Sequence, residues 1–351
     1  MSKKVLIVDD SALVRKQLTS MISPLGFDID IAKNGQEAVN MAVETNYDVI
    51  TMDINMPVMD GIEAVKQIME KNPTAILMVS SLTTEDATIT MDALDLGAID
   101  YISKPGTMNV GKVENTESII EKIESLSRIP KRRLKRIRKV QPMRERRVVK
   151  KEIDSNSSSK DIEKIVLIGA STGGPGLIEQ ICSTVPASFK YPICIVQHMP
   201  EQFTAAFAQR LDRASALNVH ESVSNMEVLP GNIYLARGGV HMNFARKTSG
   251  KVVIREDKRK GSSFFQPSVD EMMLSAAKVF PCNMLVGVIL TGIGDDGAIG
   301  MVELKKNGSY TIGETEESAT VYGMPRVAFE KGGVSEQLDF KQILQKIATL
   351  K

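Results

Sequence analysis

The sequence has no apolar run approaching the roughly 18 residues that a bilayer span requires. Its opening, MSKKVLIVDD, enters a strand-like segment directly and carries no signal-peptide pattern. Cysteine is scarce. Cys182, Cys194 and Cys282 have no ligand-like spacing and two lie in apolar runs, so all three read as reduced core residues of a cytoplasmic protein. Histidine is equally scarce, and chemistry that needs an imidazole base must choose among His198, His220 and His241. What is present, 42% hydrophobic and 25% charged residues in a chain of 351, is the composition of a globular protein of two or three domains.

The near-neutral net charge conceals an uneven distribution. Residues 128–151 hold 13 Lys or Arg against a single acid, Glu145, so the rest of the chain is net acidic. DSNSSSK, residues 154–160, follows with linker composition. The expected division is 1–125, a basic flexible linker over 126–160, and 161–351.

The first part alternates strand-like runs with helical patterns. VLIVD (5–9), FDIDIA (27–32), DVITMD (48–53), AILMVSS (75–81) and IDYISK (99–104) predict strands. GIEAVKQIMEK, with Ile62, Val65 and Ile68 on one face, predicts a helix. This alternation implies a doubly wound parallel sheet, whose ligands sit beyond the carboxyl ends of its strands. Those ends carry Asp9, Asp10, Asp53, Ser80 and Lys104. Three crowded carboxylates repel one another unless a divalent cation neutralises them, and an all-oxygen site suits Mg²⁺.

VDDS, MDINMPVMDG, MVSS and the spacing of Tyr101 from Lys104-Pro105 make residues 1–125 resemble a response-regulator receiver domain of flavodoxin-like fold. The resemblance implies that Asp53 accepts a phosphoryl group from a histidine kinase. It also implies that Asp9, Asp10 and Asp53 hold Mg²⁺, aided by the Asn55 carbonyl, and that Ser80, Lys104 and Tyr101 sense the phosphoryl group.

The second part opens on IVLIGASTGGPG, residues 165–176, a strand running into a glycine turn and a helix. A dinucleotide-binding turn is disfavoured, because Ser171 stands where the second glycine would admit a pyrophosphate. The next strand, in YPICIVQHM, also ends without a carboxylate. An ordinary turn and a nucleophile elbow, Gly169-Ala170-Ser171-Thr172-Gly173, remain. An elbow serine needs a base, and His198 ends the strand after the serine's own. NMLVGVILTGIGDDG (283–297) then ends a third strand in Asp295 and Asp296, either of which would orient the imidazole.

GASTGGP, VQHMPEQFTAAFAQRL, GNIYLARGGVHM, QPSVD, LTGIGDDGAIGM and ATVYGMPR recur in this order in the chemotaxis protein-glutamate methylesterases, which residues 161–351 resemble. The resemblance implies a Rossmann-like domain with Ser171 as nucleophile, His198 as base and Asp296 as acid, and no cofactor for the ester chemistry. Ile293 would lend its N–H to an oxyanion hole. The implied substrate is a methylated glutamate of a chemoreceptor, with deamidation of receptor glutamines alongside. His220 and His241 are expected to be structural, and Arg237 stands where the family often has proline.

For the basic segment a solvated tether is expected. Leu134, Ile137 and Val140, between Pro130 and Pro142, offer a narrow stripe for contact with an anionic membrane surface. A DNA-binding output is disfavoured, since residues 161–351 have no helix-turn-helix pattern and are not basic, so no nucleic-acid partner is expected. An aspartate switch joined to a hydrolase whose site opens at strand ends predicts that the receiver inhibits and phosphorylation relieves.

Overall fold

The computed structural model describes residues 2–81, 83–105, 116–137, 158–259 and 265–350. It divides the chain into two compact units, Met1–Arg144 and Glu145–Lys351. Among the described residues no helix is long and apolar enough to cross a membrane.

In the first unit the elements are β1 (Lys4–Val8), α1 (Ala12–Ile22), β2 (Asp28–Ala32), α2 (Gly35–Glu44), β3 (Val49–Asp53), α3 (Gly61–Lys71), β4 (Ala75–Ser80), α4 (Thr84–Asp95), β5 (Asp100–Ser103), α5 (Thr116–Leu126) and α6 (Lys131–Ile137). The strands form one sheet of order β2-β1-β3-β4-β5, with every pair parallel. All five stand where the sequence predicts them. β3 and β4 are buried along their whole length, which is why their sequences read as continuous aliphatic runs; edge strand β2 tolerates DIDIA. Helix α3 begins where Asp60 accepts the Glu63 N–H at 2.8 Å, and it buries Ala64, Val65, Ile68 and Met69. Ile62, expected on that face, lies beside it and is only half-buried.

The predicted linker is not uniformly a tether. Leu134 of α6 is 3% exposed and joins the first unit's core, with Ile129 packed against it. The first apolar residue of the stripe assigned to membrane contact is therefore already covered by protein. Val140 and Pro142 lie outside the described residues. At the far end of the linker, Ser159 accepts the Val252 N–H and donates to Glu227, which fastens residue 159 to the second unit.

That unit contains β6 (Ile165–Ala170), α7 (Gly174–Thr184), β7 (Ile193–Gln197), α8 (Glu201–Ala214), β8 (Asn218–Glu221), β9 (Asn232–Leu235), β10 (His241–Arg246), β11 (Val252–Asp257), α9 (Val269–Val279), β12 (Leu285–Ile289), α10 (Ala298–Lys306), β13 (Tyr310–Glu314), α11 (Met324–Glu330), β14 (Glu336–Leu338) and α12 (Phe340–Ala348). Seven strands form a wholly parallel sheet, β14-β13-β12-β6-β7-β9-β8. The chain leaves β6 toward β7 on one side and later returns to place β12 on the other. The strand order therefore switches beside β6, where open α/β sheets bind ligands. The sequence reading did not anticipate the antiparallel hairpin β10–β11, whose Met242, Phe244, Val252 and Ile254 complete the core under α9.

Candidate functional site

At the strand ends of the first unit, Asp9 and Asp53 are buried and Asp10 is exposed, and ligand oxygens of all three lie within 4.8 Å of one another. Lys104 Nζ is 2.8 Å from Asp53 Oδ1 and 3.8 Å from Asp9 Oδ2. The Ile54 N–H also binds Asp53 Oδ1, at 2.8 Å. Burial pushes the Asp53 carboxyl up to about 6 and raises that of Asp9. Burial opposes the Lys104 charge, but the bond to Asp53 outweighs it and raises the ammonium. Asp9 Oδ2 and Asp53 Oδ2 are buried without a hydrogen-bond partner. Two unsatisfied carboxylate oxygens aimed into one acidic cluster are the donor set a hard divalent cation requires, so these residues fit Mg²⁺. Ser80 is fully buried at the end of β4 and holds the Lys104 N–H on its carbonyl at 2.8 Å. Tyr101 is buried, with the Lys122 ammonium 5.4 Å from its ring centre. Arg15, which carries no local signal of its role, donates to the carbonyls of Asp9 and Asp10 and steadies the acidic turn from beneath.

In the second unit three consecutive strands of the sheet, β12, β6 and β7, deliver the candidate residues. Ala170 is in register with Gln197 and Gly169 with Ile289. One residue further on, Ser171 and His198 leave adjacent strands side by side, with the His198 N–H on the Ala170 carbonyl at 3.1 Å. Gln197 Nε2 holds the Ser171 carbonyl at 2.9 Å, and the Ser171 N–H donates to Thr291 beyond β12 at 3.0 Å. The turn closes through Gly173, whose φ of 80° lies in the left-handed region and whose Cα faces Thr320 too closely for a side chain. Helix α7 begins at the next residue, which points its N-terminus at the site.

His198 Nε2 meets Asp296 Oδ2 at 2.7 Å, while Nδ1 is buried without a hydrogen-bond partner. Asp296 collects three further donors from the start of α9: Ser268 Oγ at 2.7 Å, the Val269 N–H at 2.7 Å and the Asp270 N–H at 3.0 Å. Burial alone would raise the Asp296 carboxyl, but the bond to His198 and these N–H groups hold it below the usual range. Asp295 turns outward with its side chain 70% exposed, 3.7 Å from the Lys331 ammonium. The choice between the two acids that the sequence left open is therefore a choice between a buried neighbour of His198 and a surface residue. Ile293 follows Gly292, whose Cα lies against the Ser171 side chain.

Sequence reasoning missed Phe265, whose ring stacks on His198 with centroids 3.9 Å apart and planes 11° from parallel. It also missed Glu314, a fully buried carboxylate that accepts the Thr291 N–H at 2.8 Å and so braces the segment holding Ser171. His220 bonds Asn232 at 3.1 Å on the outer strands, and His241 is a buried residue of the hairpin. Arg237 forms an ion pair with Glu256 at 3.1 Å, a role invisible in the sequence. Cys182 and Cys194 are core residues whose thiols burial pushes far up; Cys282 is only half-buried, contrary to the sequence expectation.

Comparison with known proteins bears on both units. The CheB methylesterase family matches residues 166–347, and the response regulator receiver domain family matches residues 5–115. A protein-glutamate methylesterase/protein-glutamine glutaminase of Carboxydothermus hydrogenoformans is 43% identical over 100% of this chain and 99% of its own length. One of the same name from Archaeoglobus fulgidus is 39% identical over 98% of this chain and 97% of its own. The crystal structure of the Thermotoga maritima CheB methylesterase catalytic domain is 38% identical, covers 54% of this chain and 98% of that one, and superposes with a TM-score of 0.51. The chain belongs to the CheB methylesterase family, with a response regulator receiver domain ahead of its methylesterase domain.

Proposed function

We propose that the second unit hydrolyses γ-methyl esters of glutamate side chains on chemoreceptors, releasing methanol, and deamidates receptor glutamines by the same route, for chemotactic adaptation. The observation that carries this reading is the His198–Asp296 contact at 2.7 Å with Ser171 beside it on the next strand. Because Asp296 occupies Nε2, Nδ1 is the base. It takes the Ser171 Oγ proton as Oγ bonds to the ester carbonyl carbon. The carbonyl oxygen becomes an oxyanion, to which the Ile293 N–H and the N-terminus of α7 would lend stabilisation. As the carbonyl re-forms, the C–OCH₃ bond breaks and the methoxy oxygen takes the proton from Nδ1, leaving as methanol. Water then gives Nδ1 a proton while its oxygen attacks the acyl carbon. Oγ departs with that proton, giving glutamate and free Ser171. With glutamine, ammonia leaves in place of methanol.

The receiver would take its phosphoryl group on Asp53 from the chemotaxis histidine kinase. Asp9, Asp10 and Asp53 would hold Mg²⁺, which neutralises charge on the incoming phosphoryl oxygens. Ser80 and Lys104 would close on the phosphorylated aspartate and Tyr101 would change rotamer. Unphosphorylated, the receiver represses the esterase, and phosphorylation relieves this. Moving the repressed-to-active ratio from 1:99 to 99:1 requires about 5.5 kcal/mol of differential stabilisation. The basic segment supports a finer reading, electrostatic attraction to an anionic membrane surface, without the apolar help of Leu134. The test is methanol release from methylated receptor membranes with and without a phosphodonor. Asp53→Asn should abolish the activation, and residues 158–351 alone should outpace the unphosphorylated whole; an isolated unit no faster than the whole would rule out repression.

A further inference from the structure

Phe265 stacks on the face of the His198 ring, whereas Asp296 meets the ring at its edge. Asp296 holds the imidazole at one edge atom, Nε2, and the ring's remaining freedom is tilt about its own Cβ–Cγ bond. A second aromatic plane lying 3.9 Å away at 11° removes this freedom and fixes the direction of Nδ1. The face of a phenyl ring is also negative, so it attracts an imidazolium more strongly than a neutral imidazole. The same short strap carries the acid's support: Ser268, Val269 and Asp270 donate to Asp296. The Gln266 carbonyl, between the two, accepts the Gly239 N–H at 3.0 Å and anchors the strap to the loop before the β10–β11 hairpin.

We propose that Phe265 is a positioning residue for His198. It holds the imidazole plane so that Nδ1 faces Ser171, and it favours the imidazolium that forms each time Ser171 or water gives up its proton. The proposal rests on the reading of Ser171, His198 and Asp296 as a hydrolytic triad. Its effect belongs to the reaction step rather than to substrate binding, because the ring acts on the charge that appears on His198 in the transition state.

The experiment measures methanol release from methylated receptor membranes by the phosphodonor-treated full-length chain, comparing wild type, Phe265→Leu, Phe265→Tyr and Ser171→Ala. Phe265→Leu, which keeps apolar bulk and loses the π face, should lower kcat about tenfold. Its KM should stay within about twofold of wild type. Phe265→Tyr, which keeps the ring, should restore the rate. Two results overturn the proposal: Leu and Tyr variants equally slow, or a Leu variant with raised KM and unchanged kcat, which would make Phe265 a substrate contact. Loss of the triad reading is separately visible, as methanol release that survives Ser171→Ala. Phe265 is only partly buried, so thermal unfolding of the Leu variant should match wild type and exclude misfolding as the cause of a slow rate.

Discussion

Asp296 meets His198 at Nε2, so the ring nitrogen left to accept a proton is Nδ1. In the familiar serine-protease arrangement the two nitrogens play the opposite parts. Here β12 delivers the acid from one side of β6 and β7 delivers the histidine from the other, so the imidazole spans the switch point with Nε2 toward α9.

Removal of the nucleophile is the plainest test of the site. Ser171→Ala should reduce methanol release on the order of 10⁴–10⁶-fold, as in other serine hydrolases.

The two adjacent aspartates should behave very differently. Asp296→Asn should lower kcat about 10³–10⁴-fold by disturbing the tautomer and orientation of His198. Asp295→Asn removes only a solvated partner of Lys331 and should leave the rate within about twofold, since exposed pairs are worth little. The assignment of the acid is overturned if Asp295→Asn proves the more damaging.

Gly292 supports the nucleophile by having no side chain. A Cβ there would lie 2.8 Å from Ser171 Cβ and 2.2 Å from Met324 Sδ. Gly292→Ala should cost about 1–3 kcal/mol of stability through overpacking, and should also slow turnover by displacing Ser171. A variant that loses stability but keeps full kcat would mean that Met324 alone gives way.

Burial pushes the Asp270 carboxyl up to about 6, with Asp296 adding to the effect and the Gly300 N–H opposing it. In the unfolded chain this group titrates near about 3.9. Between those values the folded state keeps a proton that the unfolded state has released, so this contribution to stability declines as pH rises from about 4 to 6. Asp270→Asn keeps an acceptor for Gly300 but cannot ionise. Thermal unfolding should therefore show the variant gaining on wild type as pH rises across that interval, and a variant that loses ground to wild type over it would reverse the sign.

The receiver's acidic cluster should be visible in stability as well. Asp9 and Asp53 are buried charges that Lys104 offsets in part, so Mg²⁺ should raise the melting temperature of the first unit at pH 7, and chelation should lower it. Asp53→Asn should raise the metal-free stability by on the order of 1–3 kcal/mol and blunt the Mg²⁺ response. An unchanged Mg²⁺ response in this variant would remove Asp53 from the site.

Wherever side chains repeat with a period or close a strand, the sequence was readable. The five receiver strands, helix α3, the glycine turn at Ser171 and the strand-end position of His198 all carry such local signals, whereas Asp296 lies seven residues beyond the end of β12, in a turn the sequence read as strand end. The hairpin β10–β11 was missed because HMNFAR and VVIRED read as scattered short runs until they pair. Phe265 was missed because its segment has no periodicity, and its partner lies 67 residues earlier in the chain. Leu134 was assigned to the linker because the basic residues around it outweigh one leucine in any window. Only the packed core shows that this leucine is covered. Such contacts are tertiary, and no local propensity encodes them.

The middle strands β12, β6 and β7 have a consequence for how the enzyme can be switched. Ser171 and His198 directly follow the most deeply hydrogen-bonded part of the sheet, their own N–H groups bound to the Thr291 and Ala170 carbonyls. Their amides should exchange with solvent deuterium only by global unfolding, among the slowest in the chain. A site so embedded cannot be turned off by local melting at modest energetic cost. Control of this hydrolase by access to the serine, with the catalytic machinery left assembled, is therefore the mode to expect.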